Sequence, residues 1–157
     1  MKRLIAVSGL VLLAGCQAPP AEMTEAEIAQ IEAEVGAVAE DWVQYYSSED
    51  DLDQYMINLS DWAGAPWPNS WSLDQLRSTI SNGWARWDYD LIEQLDTQVR
   101  VLAPNVAAVI QRYRETRTDT AGVVQIRDYD DYHVWVLEEA NWKMLLAKSK
   151  VTTVEES

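Results

Sequence analysis

The spacing of apolar residues changes once along this chain of 157 residues, and no other feature restricts the fold as strongly. Between Thr24 and about Asp88, apolar residues recur every three or four positions, as on the buried face of a helix. After about Asp88 they alternate with polar residues, as in a half-buried strand. The sequence therefore predicts an α+β fold in which helices precede strands.

Three helices are predicted before the change of period. Thr24 with Glu27, and Ser72 with Gln75, match capping boxes, in which side chains satisfy the free amides of the first helical turn. A shorter helix is predicted to begin at Ser48 between these two. The apolar stripe of the first helix consists of Ile28, Ile31, Val35, Val38, Trp42 and Tyr45.

The second half of the chain predicts a meander of antiparallel strands. One or two strands are expected within residues 89–102, and longer strands over residues 106–117, 123–137 and 142–151. Short turns separate the long strands, so that each is expected to pair with the next.

Residues 1–16, MKRLIAVSGLVLLAGC, are typical of an export signal. A basic start precedes an apolar stretch of about 11 residues, too short for the roughly 20 that span a bilayer. The residues up to Cys16 resemble the lipobox of bacterial lipoproteins. That resemblance implies cleavage before Cys16, lipidation of Cys16 and anchoring in a membrane. Gln17 stands where an inner-membrane lipoprotein commonly carries Asp, so the resemblance favours the outer membrane, with the protein facing the periplasm.

The predicted organisation is a signal peptide over residues 1–15, a lipidated Cys and tether over 16–23, one domain over 24–151 and a tail over 152–157. The length suits a single domain, and no internal repeat suggests a second one.

Composition excludes several classes of protein. Twelve Lys and Arg against 26 Asp and Glu give a net charge of −14, whereas a nucleic-acid binder needs a basic surface. The single Cys excludes a disulfide framework, and one His leaves little material for a zinc site. There is no Gly-rich phosphate loop and no nucleophile elbow in the sequence. We therefore expect no cofactor, no metal and no nucleic acid.

Four segments resemble the nuclear transport factor 2-like superfamily, and in particular its SnoaL-like domains. They are residues 50–55, 73–80, 99–110 (VRVLAPNVAAVI) and 132–144 (YHVWVLEEANWKM), the last being the most specific. The resemblance covers residues 24–151. It implies a cystatin-like cone, in which three N-terminal helices pack on a strongly curved antiparallel sheet and leave a funnel-shaped pocket. Several relatives bind or convert small hydrophobic molecules there.

The candidate catalytic residues are His133 and Asp131, which share one face of a strand. The resemblance suggests a His–Asp dyad like those of dehydratases in this superfamily, or a Tyr/Asp pair of the steroid-isomerase type. Neither is marked by a catalytic signature. An isomerase, cyclase or dehydratase is therefore the alternative to a binding protein.

Eight Trp and seven Tyr occur with no Phe, and these aromatics combine an apolar ring with a polar tip. Such residues suit the lining of a pocket for a small apolar or aromatic ligand. Seven are predicted to contact it: Trp42, Tyr45, Trp62, Trp67, Trp84, Tyr113 and Trp135. A protein partner, or a homodimer through the outer face of the sheet, is a further expectation. The sequence leaves open which face of strand 129–137 points inward, because both faces are partly apolar.

Overall fold

The structure, a computed structural model, describes residues 22–45, 52–60 and 72–156. Its elements are α1 (Glu25–Gln44), α2 (Leu52–Ile57), α3 (Leu73–Trp84), β1 (Trp87–Ala103), β2 (Val106–Asp119), β3 (Val124–Glu138) and β4 (Asn141–Glu156). The predicted signal peptide, most of the tether and the predicted helix start at Ser48 lie outside the described residues. The α+β architecture and its four-stranded antiparallel sheet, in the order β1-β2-β3-β4, confirm the predicted fold class.

Both predicted capping boxes are formed. The Glu27 amide donates to the Thr24 hydroxyl at 3.2 Å, and the Thr24 amide donates to the Glu27 carboxylate at 2.8 Å. Ser72 and Gln75 make the same pair of bonds at the start of α3. Each box satisfies amides that a helix leaves without partners in its first turn, and so fixes where α1 and α3 begin.

The strands are longer than the alternation of residues predicts. Residues 87–103 form a single strand, where one or two were expected. β4 runs on to Glu156, so residues 152–156 belong to the sheet and the prediction of a tail there is wrong. The reason is that β3 begins as early as Val124 and offers hydrogen-bonding partners along that whole length, with Gln125 opposite Glu156. Shifts of register in β1 and between β3 and β4 bend the strands, as bulges do.

The core lies between the helices and the inner face of the sheet. Val35, Ala39 and Val43 follow one side of α1 and are completely buried. At Gly36 the helix approaches β1 closely, since a Cβ there would lie 3.6 Å from Val99 Cγ2. Beside β4, the backbone of residues 58–60 makes two hydrogen bonds with the backbone of Met144, so β4 is paired at this point on its outer edge.

The outer face of the sheet is mixed. Ile110 and Tyr132 are exposed opposite each other on β2 and β3, and Leu146 is exposed on β4. Arg114 donates two hydrogen bonds to Asp128 on the same face, at 2.7 and 3.1 Å. A homodimer through this face stays a prediction. Within the three described stretches, no helix combines the length and the hydrophobicity required to cross a bilayer.

Candidate functional site

The inner face of the sheet is formed by alternate residues of β2 and β3. On β3 the inward side chains are Tyr129, Asp131, His133 and Trp135, all of them buried. On β2 they are Ala107, Val109, Gln111, Tyr113, Glu115 and Arg117. Paired residues of the two strands thus change from apolar at one end to polar and charged at the other. This answers the question of which face of strand 129–137 points inward.

Asp131 and His133 lie together near the middle of this face. His133 Nε2 is 3.5 Å from Asp131 Oδ2, and Tyr113 donates its hydroxyl to the same oxygen at 3.1 Å. Each of the two residues on β3 is only 2% exposed. The alternation of side chains along the two strands therefore brings the acid of Asp131 into contact with an imidazole and a phenol inside the fold.

Aromatic rings enclose His133. Its imidazole meets the Trp42 ring edge-on at 5.0 Å and lies 6.2 Å from the ring of Trp135. Trp42 also contacts Tyr55 at 4.8 Å, and Tyr55 contacts Trp84 at 5.7 Å. Neither nitrogen of the imidazole has a hydrogen-bond partner among the described residues. Packing against these rings therefore holds the imidazole, and its 3.5 Å contact with Asp131 Oδ2 is not a hydrogen bond.

A cavity of about 230 Å³ lies between the helices and β2, β3 and β4. Its lining residues are Trp42, Val43, Tyr55, Leu76, Thr79, Ile80, Tyr113, Tyr129, Asp131, Ala147 and Ser149. Most of the described lining residues are apolar or aromatic, and Asp131 is the one acidic residue among them. Asp131 therefore borders the cavity on one side and approaches His133, which is not part of the lining, on the other.

A second polar cluster adjoins the cavity through Tyr129. Tyr129 donates its hydroxyl to Glu115 at 2.8 Å and accepts a hydrogen bond from Arg117 at 2.9 Å. Arg117 also forms an ion pair with Glu115 and lies over the ring of Trp87, 4.4 Å from its centroid. The rings of Tyr129 and Tyr113 are stacked at 4.7 Å, which joins the two polar groups.

Burial and charge determine the ionisation of this cluster. Burial, and after it the charge of Glu115, raises the pKa of the Asp90 carboxyl to about 8. The same two causes raise the pKa of the Tyr129 phenol, which stays protonated and able to donate. For Arg117, burial lowers the pKa, but the hydrogen bond and charge of Glu115 outweigh it and raise the pKa overall.

The structure brings together part of the predicted set of ligand contacts. Trp42, Tyr113 and the candidate acid Asp131 line the cavity, and Asp131 Oδ2 lies 3.5 Å from His133 Nε2. The other described members do not line it: Tyr45, Trp84 and Trp135 pack in or against the core. Trp62 and Trp67, like the lipidation site Cys16, lie outside the described residues.

Sequence reasoning missed Tyr55 and Tyr129 as lining residues. A signal for Tyr129 exists, because it precedes Asp131 by two positions and so shares its face of the strand. No comparable signal identifies Tyr55, whose contact with the cavity depends on how α2 packs. In the part of the chain that the structure describes, no three His, Cys, Asp or Glu side chains are grouped as metal ligands.

No protein-family model and no curated protein sequence matches this chain. Solved structures do match. The hexachlorocyclohexane dehydrochlorinase LinA-type3 of Novosphingobium barchaimii has a TM-score of 0.66 and 9% identity, over 83% of this chain and 94% of that one. An NTF2-like superfamily protein of Salmonella enterica has a TM-score of 0.66 and 11% identity, over 78% and 91%. The association domain of CaMKII from C. elegans has a TM-score of 0.61 and 14% identity, over 81% and 99%.

These proteins share a shape with this chain and little sequence. The matched element order, with helices before a curved antiparallel meander, is the one that the residues of this chain predict and the structure contains. The chain has the NTF2-like cone fold.

Proposed function

We propose that this protein binds a small, largely apolar or aromatic molecule inside its cone. The observation that carries the proposal is a cavity of about 230 Å³ that is lined by four aromatic rings and one buried carboxylate. Ligand sites are typically concave and apolar, with few polar groups that fix the orientation of the ligand. At a share of about 30 Å³ for each water-sized group, the cavity admits roughly eight such groups.

Native mass spectrometry of the protein, purified from its own cell envelope without denaturation, tests this proposal. We expect an adduct of small mass that disappears on unfolding. Ala147→Leu places a larger side chain in the cavity and should reduce the adduct, whereas Ala121→Leu adds the same atoms in an exposed turn and should not. Equal adducts in the two variants, or none in the natural protein, would contradict the proposal.

We also propose that the protein is a lipoprotein, anchored through Cys16 at the outer membrane and facing the periplasm. The support is the sequence before Cys16 and the Gln that follows it. Mass spectrometry of the N-terminal peptide from isolated membranes should find acylated Cys16 as the first residue. Cys16→Ser should abolish both the cleavage and the lipid. An unmodified N-terminus at a different residue would argue against the anchor.

A second candidate function is acid–base catalysis of the isomerase, cyclase or dehydratase type. The observation in its favour is that Asp131 borders the cavity and that Tyr113 and His133 both approach its Oδ2, at 3.1 and 3.5 Å. In an isomerisation, Asp131 would accept a proton from one substrate carbon and return it to another, while the hydroxyl of Tyr113 holds the carboxylate in place. His133 would act as a positioning residue.

Proton exchange distinguishes catalysis from binding alone. A bound carbonyl compound should exchange its acidic C–H for deuterium in D₂O in the presence of the protein, and Asp131→Asn should abolish that exchange. The outward-facing neighbour provides the matched control Asp130→Asn, which should leave the rate unchanged. Binding without exchange would leave the protein a binding module.

A further inference from the structure

We propose that the cavity selects a cationic ligand, namely a small amine whose ammonium group binds Asp131 while its apolar part contacts the aromatic walls. This inference rests on the proposed binding function and names the chemical class of the ligand. It is independent of whether any reaction follows.

The first observation is a carboxylate oxygen that has no hydrogen-bond partner among the described residues. Asp131 Oδ2 accepts the hydroxyl of Tyr113 and is approached by His133. Oδ1 is buried and accepts no hydrogen bond from any described residue. A buried acceptor left in this state costs free energy, and a donor supplied by a ligand removes that cost. Asp131 belongs to the cavity lining, so the acidic group of the site is an acceptor, which suits a donor-bearing ligand.

The second observation is the charge balance around the cavity. Among the described lining residues there is no Lys or Arg. The buried guanidinium of Arg117 is already bound to Glu115 and to the hydroxyl of Tyr129. No Lys or Arg of the described lining residues is thus matched to the carboxyl group of Asp131, and a ligand cation would supply the match.

The third observation is the aromatic lining of the cavity. The rings of Trp42, Tyr55, Tyr113 and Tyr129 all border the cavity. The face of an aromatic ring carries negative potential, so that several rings beside one carboxylate attract an ammonium group. The net charge of −14 on the whole chain works in the same direction, because it raises the local concentration of cations. An anionic ligand would meet repulsion from each of these sources.

Three probes of nearly equal shape test the proposal: benzylamine, benzyl alcohol and toluene. Each is titrated into the purified protein by calorimetry, and the indole signal of Trp42 in nitrogen-edited NMR spectra reports whether binding occurs in the cavity. We expect benzylamine to bind at least about tenfold more tightly than benzyl alcohol, the range of a charge-assisted hydrogen bond. Asp131→Asn should remove that preference, so that the amine and the alcohol bind this variant about equally. Asp130→Asn, on the outer face, should leave the preference as it is in the natural protein.

The outcomes separate this inference from the function on which it rests. If benzylamine and benzyl alcohol bind equally well, amine selectivity is wrong, while small-molecule binding stands. If none of the three probes shifts the Trp42 signal, the binding function fails and the inference fails with it. Should Asp131→Asn not fold, the comparison of the three probes on the natural protein still decides, and Tyr113→Phe, which keeps the carboxylate, should retain the preference for the amine.

Discussion

The two ends of the inner face differ in chemistry although they share the same two strands. At one end, Ala107 and Val109 of β2 lie opposite Trp135 and His133 of β3. At the other end, Glu115 and Tyr129 make their contacts with Arg117. We call these the apolar end and the charged end. The backbones of β2 and β3 pair in the same way at both ends. The two ends therefore differ in the free energy of burying their side chains and in the chemistry of those side chains.

The comparison shows where on such a sheet a binding site can form. The apolar end gains free energy from removing surface from water. The charged end gains little net free energy of folding, because the cost of desolvating its ions offsets the attraction between them. Asp131 and Tyr113 lie at the boundary, where the cavity opens beside them. The hydroxyl of Tyr113 holds Asp131 Oδ2 in place, and Oδ1 has no hydrogen-bond partner among the described residues.

The largest expected effect on stability comes from removing the large buried side chain at the apolar end. Trp135→Ala removes a completely buried indole and should lower the free energy of unfolding by about 3–5 kcal/mol. Urea denaturation followed by circular dichroism measures this. Trp135→Phe, which leaves a smaller void, should cost clearly less. A loss below about 1 kcal/mol for the alanine variant would mean that this end is not the main source of stability.

The next effect comes from breaking the ion pair of the charged end. Arg117→Met removes the cation and leaves Glu115 buried without it, which should cost about 3 kcal/mol. The double variant Glu115→Leu with Arg117→Met replaces both ions and should be more stable than the single variant. The same denaturation assay applies. If the double variant is the less stable one, the pair contributes net stability and the contrast between the two ends is wrong.

The charged end should lose stability as the pH rises. The pKa of Asp90 is about 8 in the folded protein and about 3.9 in an unfolded chain. Its contribution to stability is therefore fully present below the unfolded value and is lost as the pH rises through about 8. Asp90→Asn resembles the protonated form, so the natural protein should lose stability relative to this variant between about pH 4 and pH 8.

Urea unfolding of both proteins at several pH values measures that difference. Asp128→Asn is the control with the opposite sign. The hydrogen bond from Arg114, despite some desolvation, lowers the pKa of Asp128, so this variant should be the less stable one at neutral pH. A constant difference between Asp90→Asn and the natural protein at all pH values would refute the ionisation described for the charged end.

The smallest effect is expected at the boundary. Tyr113→Phe removes the hydrogen bond to Asp131 and keeps the ring, so it should cost about 1 kcal/mol. Tyr132→Phe is the matched control, because Tyr132 is half exposed on the outer face, and it should be nearly neutral. Equal costs for the two substitutions would show that the buried phenol contributes nothing through Asp131.

The fold was predictable because its signals are local. Thr24 and Ser72 mark helix starts within four residues of sequence, and the change of apolar period near Asp88 separates helices from strands. A family resemblance in residues 132–144 then indicated the cone. Strand ends were less accurate, because β4 continues wherever β3 offers it a partner.

The site was only partly predictable, since its inward face carries the polar residues. Asp131 and His133 point inward, while Tyr132 and Val134 on the same strand point outward. The usual rule that apolar residues face the core therefore gives no answer there. The cavity also needs α1, α2, α3 and the sheet at fixed distances, and no spacing along the chain specifies how these separate segments pack.

The most direct test of the central claim locates a small ligand inside the cone. Filtered NMR experiments on the protein saturated with toluene should show contacts from the ligand to the rings of Trp42, Tyr55 and Tyr129. Contacts confined to the outer face, around Ile110 and Tyr132, would contradict the account, because they would place binding on the opposite side of the sheet.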